Sequence, residues 1–188
     1  MRMIGPVLVA LATLCSTAPA QSASLLDYVG ECVPFARAAS GIQIYGNAWT
    51  WWDQADGRYR RGETPRVGAV IVFEKSAQLR LGHVAVVSRV VTRRVLMITH
   101  ANWSRQNGER GHAEQDVTLT DVSPNNDWTS VKVWYRDRDG LGGSIYPVYG
   151  FIYGNPDAAA PRALARAVPA PELTGRNPDY VGALIDAY

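Results

Sequence analysis

Cys32, His83, His100 and Asn102 have the types and spacing to run nucleophilic catalysis. Cys32 opens the segment Cys32-Val33-Pro34-Phe35-Ala36-Arg37-Ala38-Ala39-Ser40-Gly41. Proline near the start and glycine at the end mark a short helix. A helix head presents free amides and the positive end of the dipole, so a thiol there is expected to ionise more readily. His83 follows Gly82 at the start of a β-branched run, where a stiff strand can hold a base against the helix head. Taken alone, such a histidine is a hydrogen-bonded core residue. His100 and Asn102 close the next strand and, by alternation, share one face. Either can orient the His83 ring and complete a nucleophile, base and orienter set. The alternative is that both cap the strand end and bind water.

The elements that must position these groups are legible around them. A helical piece spans Asn47 to Gln54 and carries Trp49, Trp51 and Trp52. After Pro65 the pattern becomes β-branched: 67–73, 82–88 and 94–100, with 91–93 as a turn region. Val131 to Tyr135 and Tyr146 to Tyr153 add two more strands. Helices followed by an antiparallel meander of about five or six strands is an α+β architecture.

The ends of the chain differ from this core. Met1-Arg2-Met3 precedes an apolar run from Ile4 to Leu14, and Ala18-Pro19-Ala20 follows. A basic start, an apolar centre of roughly 7–15 residues and small residues at the end describe a secretory signal peptide, here residues 1–23. Cleavage after Ala20 fits best and after Ala23 next. The run is shorter than the roughly 20 residues of a permanent anchor, so no membrane anchor is expected after cleavage. Leu14 before Cys15 is not the small residue that lipidation favours. Removal of this segment takes Cys15 from a chain of two cysteines and leaves Cys32 unpaired in an oxidising compartment. Residues 24–154 form the expected catalytic domain. Residues 155–188 hold Pro156, Pro161, Pro169, Pro171 and Pro178 with much alanine, and read as an extended tail that could engage an envelope protein.

Composition narrows the function. With 188 residues, 47% of them hydrophobic, the chain can bury one sizeable core. The formal charge of +2 gives no field that would draw it to nucleic acid or anionic lipid. The histidines lack zinc-ligand spacing, and neither a metal nor a cofactor is expected.

Several segments carry a family resemblance. Gly30-Glu31-Cys32-Val33-Pro34-Phe35-Ala36-Arg37 resembles the nucleophile motif of the CHAP family, the cysteine- and histidine-dependent amidohydrolases and peptidases. Gly46-Asn47-Ala48-Trp49-Thr50-Trp51-Trp52 resembles its second motif. Residues 65–73 and 82–87 are similar to the two strands that follow, in the same order. The resemblance implies an NlpC-like or papain-like fold, with cysteine on a short helix and histidine on an antiparallel sheet. It implies Cys32 as nucleophile and His83 as base. Many relatives carry Glu two residues before Asn on the next strand; this chain has His100 and Asn102 there. NlpC-like relatives use a histidine in that place, so His100 is the first choice for the third group and Asn102 the second.

The implied activity is cleavage of amide bonds in bacterial cell-wall peptidoglycan, through an acyl-enzyme on Cys32, in the periplasm or cell envelope. Tyr28 lies four residues before the thiol and is expected near the oxyanion, while Trp49, Trp52 and Trp103 are expected along the substrate groove or in the core. Two other readings remain open: an inactive wall-binding module, and a cysteine hydrolase of another amide. The tail yields the first testable expectation. Truncation after Gly154 should preserve fold and chemistry, because Pro-rich sequence adds nothing to a sheet interior. The melting temperature of the mature protein with and without the tail checks this, and a large loss on truncation would make the tail part of the domain.

Overall fold

The structure is a computed structural model that describes residues 25–154. The expected signal segment, Cys15 and the Pro-rich tail lie outside the described residues. A single turn of 3-10 helix, Leu25–Asp27, leads into helix α1, Cys32–Ser40. Gly41 ends α1 at φ 76°, its amide bonding back to the Arg37 carbonyl at 2.9 Å. That left-handed cap is what glycine supplies and a side chain would strain. The expected second helix is split into a 3-10 turn, Ala48–Thr50, and a short α2, Trp51–Gln54.

Among the described residues eight strands follow: β1 Arg60–Gly62, β2 Val70–Phe73, β3 His83–Val90, β4 Val95–Ala101, β5 Ala113–Asp121, β6 Ser130–Tyr135, β7 Gly140–Leu141 and β8 Tyr146–Tyr153. All pairings are antiparallel, in the order β1-β8-β2-β3-β4-β5-β6-β7. β8 also pairs with β6, through Ser130↔Pro147 and Val131↔Tyr146. The expected antiparallel sheet of about five or six strands is present and closes on itself: β2, β3, β4, β5, β6 and β8 form a barrel, with β1 and β7 outside the ring. Closure removes the sheet edges that a lone meander would expose. β1 and β7 are too short for period-two patterning, and β5 mixes acidic with apolar residues. β2 begins at Val70 rather than Val67, because Arg66 to Ala69 forms a turn closed by the Ala69 amide on the Arg66 carbonyl.

Strand alternation sorts the core into two layers. Val70, Val72, Val84, Val86, Ala101 and Ile152 face outward and pack under Phe35, Ala36, Ala39 and Trp51 of the helices. Ile71, Phe73, Ala85, Val87, Leu96, Ile98, Leu119 and Phe151 fill the barrel. Both faces of β2 and of the first half of β3 are thus buried, which explains their continuous apolar runs.

α1 lies on β3 and β4. Its first residue, Cys32, reaches the end where the β3–β4 ladder stops at Val86↔Thr99, leaving His83 to Ala85 unpaired on that side. Gly82 sets the approach of β3 to this end. It sits at φ 69°, and a Cβ there would lie 2.7 Å from the Trp49 amide nitrogen and 2.9 Å from the Phe73 carbonyl oxygen. Gly82→Ala should lose about 1–3 kcal/mol of unfolding free energy in a denaturant titration. An unchanged midpoint would mean that the backbone relaxes freely at this turn.

Candidate active site

Cys32 begins α1, is buried, and carries the single sulfhydryl among the described residues. The backbone amides of Val84, one residue past His83, and of Cys32 and Val33 at the helix head act on its sulfur. They favour the thiolate, as expected from the helix position. Burial opposes them and wins, with Glu31 adding to it, and the thiol is pushed up to about 11. The expectation of a readily ionised thiol is corrected by this balance.

His83 is also buried. Its Nε2 lies 3.0 Å from Nδ1 of His100, with the two rings nearly perpendicular. Burial first, then His100 and Arg110, hold its protonated form well below the ordinary 6.5. At neutral pH the site therefore holds a thiol and a neutral imidazole rather than a preformed ion pair. Phe73 meets the His83 ring edge-on, and Trp103 packs on both imidazoles, with centroids 4.8 Å from His83 and 5.5 Å from His100.

The other candidates fall in different places. Asn102 lies beyond the end of β4 at φ 65°, and that left-handed turn breaks the alternation that would have put it beside His100. Its amide donates instead to Glu31 Oε2 at 2.7 Å. Tyr28 is close enough to feel charge on Cys32, but its hydroxyl donates to the Glu31 carbonyl at 3.0 Å. Trp49 is half-buried beside Gly82, its amide bonded to the Leu81 carbonyl and its ring 5.7 Å from the Lys75 ammonium. Trp52 stacks on Tyr149 at 6.0 Å, on the β8 side of β2, away from His83. Trp103 is 4% exposed, so it forms a wall behind the imidazoles and not an open groove surface.

The residue that sequence reasoning missed is Glu114. It is buried on β5 directly across from His100. Its Oε2 is 3.5 Å from His100 Nε2 and accepts the Ser104 amide at 3.0 Å, while Oε1 is 3.4 Å from Arg136 Nε. Burial disfavours its charge, but contact with His100 and the Ser104 bonds outweigh it and hold the carboxyl at about 2. Burial of Val117 and Leu119 at alternate positions is the signal that reveals this strand.

The arrangement is a thiol at a helix head, a buried imidazole on the strand that α1 packs against and a second imidazole bonded to it. The CHAP domain family model matches residues 23–107. Those residues are a CHAP domain. CHAP domains are in general cysteine- and histidine-dependent hydrolases of the amidase and peptidase type, and the match takes in Cys32, His83, His100 and Asn102. No curated protein matches the chain closely enough to refine this further.

The neutral resting pair has a measurable consequence. Iodoacetamide should label Cys32 at pH 7 more slowly than it labels the unfolded protein, with the rate climbing toward pH 11. A fast plateau at neutral pH would reveal a preformed thiolate.

Proposed function

We propose that the protein is a secreted cysteine hydrolase that cleaves amide bonds of bacterial cell-wall peptidoglycan, working as a papain-like Cys–His enzyme. The observation that carries the reading is the arrangement of Cys32 against the Val84 amide with the neighbouring His83 ring tied to His100 through Nε2. The CHAP match and the signal-like first residues support the substrate and the envelope location.

With Nε2 committed to His100, Nδ1 is the nitrogen of His83 left to take the thiol proton. His83 removes that proton as Cys32 Sγ attacks the amide carbonyl, so no standing thiolate is needed. The carbonyl oxygen gains the charge, and amides at the head of α1 stabilise it. His83 returns the proton to the departing amine. The same nitrogen then takes a proton from water, the hydroxide displaces sulfur from the acyl group, and the departing thiolate recovers the proton from His83.

Incubation of the mature protein with purified sacculi, with new termini identified by mass spectrometry, tests the function and names the bond. Cys32→Ala should release nothing while keeping its fold. His83→Ala should lose roughly 10²–10⁴-fold, the usual worth of a general base. His100→Ala should retain measurable turnover, and Asn102→Ala should lose less than His100→Ala because its amide is spent on Glu31. Normal turnover in a folded Cys32→Ala variant would end this mechanism. Intact sacculi together with cleavage of another amide would move the substrate class.

A further inference from the structure

We infer that Glu114, acting through His100, is a positioning residue that sets the tautomer of both imidazoles and so keeps His83 Nδ1 free to act as the base. The inference rests on the proposed Cys32–His83 chemistry only in naming the nitrogen that reacts. The CHAP match ends at residue 107, before Glu114.

Glu114 is ionised and can only accept. His100 Nε2 faces Glu114 Oε2 at 3.5 Å, a charge contact slightly longer than a hydrogen bond, and is otherwise buried without a hydrogen-bond partner. The proton of a neutral His100 is therefore best placed on Nε2. Its Nδ1 is then an acceptor, and His83 Nε2, 3.0 Å away, must donate. A neutral His83 with its proton on Nε2 has a lone pair on Nδ1. Without the carboxylate, His100 could carry its proton on Nδ1 and donate it to His83 Nε2. His83 would then hold its own proton on Nδ1, the wrong nitrogen for taking one from sulfur.

A backbone irregularity places the carboxylate. Between Ile98↔Val117 and His100↔Glu114 the chain advances two residues on β4 and three on β5. The extra residue is absorbed in a bulge where Asp116 adopts φ 53°, pinned by Ser88 Oγ on its carboxylate at 2.6 Å. Val117 and Leu119 face the barrel interior, so unbroken alternation would send Gln115 inward. The bulge puts Glu114 there and leaves Gln115 exposed. Arg136, beside the end of β6, partly balances the carboxylate from its other side.

The charged groups around the pair are Glu114 from β5, Arg136 after β6 and Arg110 from the loop before β5. Phe73 on β2 and Trp103 supply only apolar ring surface to His83. Loss of the Glu114 charge should therefore destabilise the protonated imidazoles and move the acid limb of His83 to lower pH.

Nitrogen-15 NMR of histidine-labelled full-length mature protein tests the tautomers without any substrate. The wild-type protein should show His100 and His83 each protonated on Nε2 at neutral pH. Either ring protonated on Nδ1 would overturn the inference, and this readout needs no variant to fold. In Glu114→Gln the Nε2 pattern should be lost or averaged and the acid limb should fall. Turnover should drop roughly 10- to 100-fold in kcat with little change in KM, by analogy with the carboxylates that orient metal-bound imidazoles. Glu114→Asp should recover part of it. Unchanged shifts and acid limb in Glu114→Gln would also overturn the inference. Wild-type protein that shows the tautomers but leaves sacculi intact would refute the proposed substrate and leave the Glu114 assignment standing.

Discussion

The bond between His83 Nε2 and His100 Nδ1 is the contact on which the site depends. It joins two neighbouring strands beyond the point where their backbone ladder has stopped. Both partners are buried, and a buried imidazole needs a partner for its polar edge. Aromatic packing removes the alternatives: Phe73 and Trp103 leave His83 no water on those sides. One nitrogen is thereby committed and the other is free, and the orientation of the base follows.

Burial decides the charge state as well as the orientation. The amides around Cys32 are the right groups to stabilise a thiolate, yet they do not offset the loss of solvent around the sulfur. The same desolvation keeps His83 neutral. Two neutral partners can exchange a proton during attack without separating charge in the resting state. Glu114 has the opposite balance: it stays ionised in the interior because His100, Ser104 and Arg136 surround it with donors and positive charge. This carboxylate thus contacts His100 and stands one ring away from His83.

Barrel closure gives these contacts their rigidity. Elements distant in sequence meet at one mouth of the ring: Phe73 from β2, His83 from β3, His100 from β4 and Glu114 from β5, with Tyr146 of β8 against Trp103. A two-sided core holds them, because β2 and β3 are buried by the helices on one face and by the barrel interior on the other. A side chain in that position has few rotamers open to it.

Local chemistry made part of this protein readable from its residues alone. The helix from Cys32 follows from Pro34 and Gly41, and β8 from its apolar and aromatic residues. Cys32, His83 and His100 stood out as candidates because each sits at or near the start or end of a regular element. Barrel closure was not legible, since it rests on a two-residue contact between β6 and β8 that leaves no periodic trace. The partner of Asn102 was hidden by a left-handed residue that local alternation does not anticipate. Glu114 was hidden for a related reason: a bulge reverses the facing of one short stretch, and only the packed sheet determines which residue turns inward. Ionisation is the furthest from sequence of all. It is a difference between desolvation and nearby dipoles, and both terms exist only once the chain has closed around the sulfur and the rings.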